Sequence, residues 1–518
     1  MAMDTGLGYW LTRRAALTPH RSALVFEGER WDYAEFNRRA NRLAHALRAL
    51  GVSHGDRVAY LDLNHPDFFL TLFAAAKLGA IFVPLNFRLT APELAFIIGD
   101  AGVHTLVHAE AFATAVDEIR DRIPCRELVC RSPRAGVRAL DDLLRDQRDD
   151  DLDNQVATDE VAVIMYTSGT TGRPKGAMLT HGNLLWNNIN ATLAFDNSVD
   201  DTTLVCAPLF HIGGLNVTPL TAFMKGAEVV LMRSFDPGGV LELIARHRVT
   251  TMFGVPAMFL FMSQHPGFAA ADLSSIRVLI CGGAPVPEAL IRLYGARGLT
   301  FAQGYGLTET APFVTLVPAG EALEKVGSAG LPAFFTDVML VDDAGQEVTT
   351  GERGEVVVRG PNVMKGYWNR PEATADAIRN GWFHTGDVAT RDADGYYYIV
   401  DRKKDMIISG GENVYPAEVE DCLYQHPDVA EVAVIGMPDE RWGETVLAIV
   451  VLKPAAEPAE RDLLDFTQGR LARYKQPHRV VFTEALPRNP AGKVLKYQLR
   501  ERFAPPAAVE QEAPPVTA

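Results

Sequence analysis

Short, continuously apolar runs alternate with segments of helical spacing from Trp31 onward, and this alternation narrows the possible folds more than any other feature. Tyr33 to Leu50 carries apolar residues at helical spacing and meets a stop at Gly51. Arg57 to Leu63 then reads as a strand, and Phe68 to Leu85 as a buried helix feeding a buried strand. Val161 to Tyr166, Glu228 to Met232, Thr251 to Val255 and Arg277 to Cys281 continue the pattern. Such a chain is expected to form α/β layers around largely parallel sheets.

A length of 518 residues exceeds one ordinary core, so more than one domain is expected. Between Val326 and Val400 the strands shorten and turn signals appear at Asp342-Asp343-Ala344-Gly345 and Asp392-Ala393-Asp394-Gly395, which predicts a β-rich subdomain. The charge-dense stretch Asp401 to Asp405 reads as a hinge. The expected architecture is a large N-terminal body of layered α/β subdomains plus that β-rich part over residues 1–402. A small, mobile α+β lid follows over 403–505, then a disordered Pro- and Ala-rich tail over 506–518. The polar, acidic segment 145–160 reads as an exposed connection.

Fifty Lys and Arg against 65 Asp and Glu leave a formal charge of −15, which argues against nonspecific nucleic-acid binding while leaving local patches for phosphates. The five cysteines form no Cys-x-x-Cys pair and no zinc spacing, which fits a reducing compartment. The N-terminus lacks an apolar core of signal-peptide length, and Lys77, Gly79 and Pro84 interrupt the most apolar stretch. The expectation is a cytoplasmic protein with no integral membrane segment. Nothing fixes its oligomeric state, and a homodimer is allowed.

The strand at Val161 to Tyr166 runs straight into Tyr166-Thr167-Ser168-Gly169-Thr170-Thr171-Gly172-Arg173-Pro174-Lys175-Gly176, with a helix expected from His181. Small residues let backbone N–H groups and hydroxyls wrap phosphate oxygens, and Lys175 supplies a point charge. The spacing is not that of P-loop nucleotidases, because Arg173 and Pro174 separate Gly172 from Lys175. No Gly-x-Gly-x-x-Gly follows the first strand, which disfavours a dehydrogenase.

This segment resembles the phosphate-binding loop of the adenylate-forming superfamily of acyl-CoA synthetases, carrier-loading adenylation domains and luciferases. The likeness continues, in the family's order, through Pro208-Leu209-Phe210-His211, Gly282-Gly283-Ala284-Pro285, Gln303-Gly304-Tyr305-Gly306-Leu307-Thr308-Glu309 and Gly381-Trp382-Phe383-His384-Thr385-Gly386-Asp387. It extends through Asp401-Arg402-Lys403-Lys404-Asp405, Gly410-Gly411-Glu412-Asn413 and Pro487-Arg488-Asn489-Pro490-Ala491-Gly492-Lys493, and so covers nearly the whole chain. Within the superfamily it is most similar to bacterial fatty-acid and 4-coumarate-type CoA ligases.

The resemblance implies ATP, Mg²⁺ and coenzyme A as cofactors and a carboxylic acid as substrate. It implies that Lys493 bridges the carboxylate and the α-phosphate, where two anions meet and positive charge lowers the barrier. Thr167, Ser168, Gly169, Thr170, Thr171, Gly172 and Lys175 would hold the phosphates. Tyr305, with Gly306 and Thr308 beside it, would stack on adenine against the Gly283-Ala284-Pro285 backbone, and Asp387 and Arg402 would contact the ribose. Glu309 is the implied Mg²⁺ ligand, a hard oxygen donor; a helix cap is its structural alternative. His211 would line the acyl pocket and gate it rather than act as a base, with Gly213, Gly214, Gly282, Gly304 and Gly306 as small walls.

Lys404 matches the hinge position, where one residue can swing a domain between two half-reactions. In the second pose Ser409, Gly410, Gly411 and Glu412 would form a channel for the pantetheine arm beside Trp442. Arg88, Lys475 and Arg479 would meet the CoA phosphates. Small walls leave volume, so the expected acid is hydrophobic: a medium or long fatty acid, or a bulky aromatic or polycyclic one. The alternatives are an enzyme that loads a carrier protein's phosphopantetheine, a variant specialised for one half-reaction, and a noncatalytic binding protein on this fold. The intact catalytic positions disfavour the last.

Overall fold

The computed structural model describes residues 6–134, 136–167, 174–283, 286–402, 405–409, 412–439, 443–468, 470–471, 473–488 and 494–503, and the side chains of Asp401, Arg402, Ile408, Glu412 and Asn413 lie outside that description. Helix boundaries follow local chemistry. The helix Pro66–Leu78 starts with proline at its first turn, His65 accepts the Asp67 N–H, and Gly79 closes it at φ 66°. The helix Tyr33–Ala49 is capped by Asp32, which accepts the Glu35 N–H at 2.7 Å.

Two large sheets form the body. One has nine strands in the order Leu331–Pro332, Phe313–Val317, Phe301–Gly306, Val278–Gly282, Thr251–Gly254, Thr202–Val205, Glu228–Leu231, Ser22–Phe26 and Glu29–Asp32. Its centre is parallel, from Phe301–Gly306 to Ser22–Phe26, and its edges are antiparallel. The other has eight strands in the order Gly366–Tyr367, Lys175–Thr180, Val161–Thr167, Ile81–Pro84, Arg57–Leu61, Thr105–His108, Glu127–Cys130 and Arg138–Ala139. Phe36, Phe69, Phe73 and Phe223, from three helices, meet edge-on or tilted with ring centroids 5.0–5.8 Å apart. All four are buried in the largest core cluster, which draws side chains from both sheets. Each such ring contributes about 1.5–3 kcal/mol by burial.

The β-rich part is a five-stranded sheet built from Asp337–Val341, Gly354–Arg359, Ile378–Arg379, Trp382–Arg391 and Tyr397–Arg402. Immediately after it, Ile407–Ser409 opens a second five-stranded sheet with Glu412–Val414, Val429–Asp439, Gly443–Leu452 and Arg479–Phe482. That sheet is apolar on both faces. Val432, Val434, Val446 and Val450 belong to one cluster, and Ala433, Ile435, Leu447 and Ile449 to another that includes Leu499 of the helix Lys496–Phe503.

Segment 145–160 is more than the exposed connection its polarity predicts. Asp151 accepts hydrogen bonds from Thr12, Asn37 and Asn41 and pairs with Lys77, which holds its carboxyl down at about 2 despite partial burial. The segment therefore straps the first helices together. The apolar stretch 68–85 is the helix and strand its pattern predicts, and among the described residues no helix is long and apolar enough to cross a membrane. The tail beyond Phe503 lies outside the described residues.

Candidate active site

The phosphate-loop motif is carried by a hairpin. Val161–Thr167 and Lys175–Thr180 pair antiparallel with Thr167 opposite Lys175, and the helix His181–Phe195 follows. Lys175 is therefore the first residue of a strand, which its glycine-rich surroundings conceal in the sequence. Ser168, Gly169, Thr170, Thr171 and Gly172 lie outside the described residues. The short strand Gly366–Tyr367 extends the hairpin, with Tyr367 opposite Ala177. Its ring lies under the Lys175 ammonium, 5.2 Å from nitrogen to centroid, and its hydroxyl donates to Glu309 Oε1 at 2.9 Å.

Glu309 sits on the single turn Thr308–Thr310 and is buried at 8 % exposure, with its carbonyl accepting the Met364 N–H at 2.7 Å. Among the described residues no group of three or more His, Cys, Asp or Glu is arranged to hold a metal. One buried carboxylate beside a phosphate loop nevertheless fits Mg²⁺, which takes one or two protein carboxylates and completes its shell with phosphate oxygens and water.

Tyr305 and Gly306 end the strand Phe301–Gly306, and Gly283 follows the parallel strand Val278–Gly282, so all three lie at the carboxyl edge of the nine-stranded sheet. Open α/β sheets place ligands at that edge. Gly283 has φ +83°, a left-handed conformation that favours glycine. The Tyr305 hydroxyl donates to Asp387 Oδ2 at 2.7 Å, which joins this edge to the β-rich sheet. Asp387 is buried, its own N–H donates to Thr385 Oγ1 at 3.0 Å, and its cross-strand partner is Arg402. The Arg402 side chain, Ala284 and Pro285 lie outside the description.

His211 precedes the short helix Ile212–Asn216. Burial pushes its pKa down to about 4, with the nearby Arg88 charge a further cause, so the ring is neutral at physiological pH. Its Nε2 has no hydrogen-bond partner among the described residues. Phe210 tilts against it at 4.6 Å, Phe87 meets Phe210 edge-on at 5.1 Å, and Arg88 lies over Phe87 at 5.0 Å. Arg88 and His211 are thus linked through two aromatic rings.

The glycines expected to leave volume do not. A Cβ on Gly213 would stand 2.9 Å from the Phe253 ring, one on Gly282 2.9 Å from the Gly304 carbonyl oxygen, and one on Gly304 2.9 Å from the Phe313 ring. On Gly214 and Gly306 it would fall on the carbonyl oxygens of Pro208 and Pro312. Glycine is used here so that backbones and rings can approach one another, and the space each gives up is already filled. Phe253, on the central strand Thr251–Gly254, is only partly buried despite that position. Reading it from the sequence would have required knowing which glycine its ring faces.

In the C-terminal sheet, Ser409 pairs with both Glu412 and Gly443, so the chain flanking Gly410-Gly411 lies beside the chain flanking Trp442. Gly410, Gly411, Trp442, Lys404 and Lys493 themselves lie outside the described residues. Lys475 donates to Glu418 Oε1 at 2.5 Å with its side chain only 15 % exposed, so it is engaged within its own unit rather than presented to solvent. Arg479 is exposed at the start of the strand Arg479–Phe482.

Buried asparagines are the functional scaffold that sequence reasoning missed. Asn362 donates to the Thr310 and Phe313 carbonyls, at the end of the Glu309 turn and just after it, at 2.8 and 2.7 Å. Asn183 donates to the Pro361 and Val363 carbonyls, and Asn187 bridges the Asn216 carbonyl and the Phe313 N–H. A helix carrying Asn183, Asn187, Asn188 and Asn190 on its buried side looks polar in the sequence, and that inward polarity was its only signal.

A hairpin carrying a phosphate-loop motif, a buried carboxylate linked to it through Tyr367 and a tyrosine–aspartate pair at a carboxyl sheet edge, followed by a small further sheet, point to a nucleotide-using α/β enzyme. The chain belongs to the AMP-binding enzyme family: the family model matches residues 11–368, and that of the AMP-binding enzyme C-terminal domain matches residues 418–493. It is 51 % identical over 505 residues to a feruloyl-CoA synthase of Amycolatopsis sp, covering 96 % of this chain and 99 % of that one. It is 43 % identical over 509 residues to an indoleacetate–CoA ligase of Aromatoleum aromaticum, covering 98 % and 99 %. A fatty acyl CoA synthetase structure from Mycobacterium tuberculosis superposes with a TM-score of 0.80 at 43 % identity, covering 96 % and 98 %. The protein is an ATP-dependent, AMP-forming acyl-CoA ligase that uses ATP, Mg²⁺ and coenzyme A.

Proposed function

We propose that this ligase activates a hydrophobic acid carrying an aromatic ring, of the arylpropenoate or arylacetate kind, in preference to a long alkyl chain. The observation that carries this reading is Phe253, whose partly accessible ring occupies the space beside Gly213. With the glycine walls backed by neighbours, less volume is left for a long alkyl chain, which favours a compact, flat aromatic acid. The names of the two relatives, feruloyl-CoA synthase and indoleacetate–CoA ligase, support the same class.

In the first half-reaction a carboxylate oxygen attacks the α-phosphorus, the α–β bond breaks and pyrophosphate leaves. Lys493 neutralises the approaching anions, the Thr167 to Lys175 segment holds the phosphates, and Glu309 would hold Mg²⁺, which would supply charge neutralisation for the phosphates. Tyr305 faces the adenine with its hydroxyl fixed by Asp387, and Asp387 with Arg402 receives the ribose. Neutral His211 presents an uncharged wall to the acid and draws no proton.

In the second half-reaction the lid turns at Lys404. The thiol gives its proton to solvent as its sulfur bonds to the acyl carbon, AMP leaves with the C–O bond pair, and Ser409 to Glu412 with Trp442 guide the pantetheine arm. Arg88 and Arg479 remain the proposed contacts for the CoA phosphates, whereas Lys475 is paired with Glu418.

The test is acyl-CoA formation and pyrophosphate release with ferulate, 4-coumarate, indole-3-acetate, octanoate, palmitate and acetate. An aromatic acid is expected to exceed palmitate by at least about tenfold in kcat/KM, the scale on which apolar pockets discriminate. Preference for palmitate would overturn the aromatic reading.

A further inference from the structure

Tyr367 touches both charged groups that the proposed mechanism brings to the phosphates. Its ring face lies 5.2 Å from the Lys175 ammonium, and its hydroxyl donates to Glu309 Oε1 at 2.9 Å. It is held from behind: the strand register sets it opposite Ala177, and its N–H donates to Thr374 Oγ1 at 2.9 Å. A lysine and a glutamate brought separately into one small site would attract and neutralise each other, with an energy that grows as water is excluded. The tyrosine satisfies them on different parts of one rigid side chain: ammonium on the ring face, carboxylate on the hydroxyl.

We infer that Tyr367 is a positioning residue, setting the Glu309 carboxylate for a divalent cation while its ring face holds Lys175 for the phosphates. The inference rests on the reading of Glu309 as the metal carboxylate. Removing the hydroxyl alone leaves the ring, and hence the lysine contact, in place. The carboxylate then loses the hydrogen bond that fixes its plane and receives the cation less well, while binding of metal-free nucleotide is untouched.

The experiment is a calorimetric titration with Mg²⁺ and α,β-methylene-ATP, which cannot be cleaved between the α and β phosphates. It is run on the wild type, Tyr367→Phe, Glu309→Gln and the double variant, with thermal melting of the same samples. Tyr367→Phe is expected to weaken Mg²⁺-dependent nucleotide binding by roughly three- to tenfold, the net worth of one ordinary intramolecular hydrogen bond, with an unchanged melting temperature. Glu309→Gln should weaken it further, and the double variant should bind no worse than Glu309→Gln alone, because the tyrosine acts through the carboxylate. If Glu309→Gln leaves the Mg²⁺ dependence intact, the metal reading of Glu309 fails and the role of Tyr367 fails with it. If Glu309→Gln weakens binding but Tyr367→Phe matches the wild type, or if the two losses multiply, the positioning role is overturned while the metal reading stands.

Discussion

The nucleotide side and the acyl side of this site are built from different materials. On the nucleotide side, side chains fix one another by directed bonds: Tyr305 to Asp387, Tyr367 to Glu309, and Tyr166 and Arg370 to Asp100. On the proposed acyl side, His211 Nε2 has no hydrogen-bond partner among the described residues, and a Cβ on Gly213 or its neighbours would meet rings and carbonyl oxygens. The difference follows from what each side must recognise. Phosphates and ribose present fixed charges and hydroxyls that directed bonds can meet, whereas a hydrophobic acid presents shape.

The sharpest way to break this contrast is Lys493→Ala. We expect adenylate formation to fall by roughly a thousandfold, about 4 kcal/mol, as when a preorganised charge is removed from a transition state. Thiol transfer from supplied acyl-AMP should be largely retained, and rapid-quench measurement of the two half-reactions separates them. Equal loss in both would remove the two-pose mechanism.

Acid titration comes next in size. His211 on the acyl side and His181, which begins the helix behind the phosphate hairpin, are both pushed down to about 4 from 6.5, chiefly by burial. The unfolded chain then binds more protons than the folded one between these values. Their stabilising contribution is therefore complete above pH 6.5 and is lost as the pH falls toward 4. Lowering the pH from 7 to 5.5 should cost about 1 kcal/mol for each histidine, about 2 kcal/mol together, in urea unfolding. His211→Gln should remove the acyl-side half of that slope and leave the other.

The smallest expected effect is also the most local. Gly213→Ala pushes against the Phe253 ring, which has to shift, and on the proposed reading the shift disturbs the place of the acid. The expected result is about a tenfold loss in kcat/KM for an aromatic acid, near 1.4 kcal/mol, with the KM for ATP unchanged. Adding Phe253→Leu should recover most of it. If the alanine were silent, Phe253 would not line the acid cavity.

The same contrast explains what the sequence disclosed. Strands such as Val278–Gly282, and Val229 to Leu231 within Glu228–Leu231, announce themselves because both faces are buried and the run is apolar. The helix Pro66–Leu78 was legible, two residues short at its start, from the apolar stretch that begins at Phe68. Tyr305, Glu309 and Asp387 lie in short motifs, since a charged ligand demands particular residue types at particular spacings. The strand Lys175–Thr180 was missed because its glycine and proline neighbours suggest a loop, and only pairing with Val161–Thr167 makes it a strand. Tyr367 and Phe253 were missed because what matters about them is which distant residue each one faces. Glycine was misread for a related reason, since a missing side chain signals either empty space or a neighbour already in it.

A wall made of backbone has one further consequence. Substitutions at Gly214 or Gly306 would collide with carbonyl oxygens, so descendants of this chain cannot change diet by enlarging residues there. Drift in the accepted acid is channelled instead through the few side chains that abut the glycines, Phe253 and Phe313 first. On the proposed reading, a change of accepted acid would run through those rings and leave the machinery that spends ATP in place.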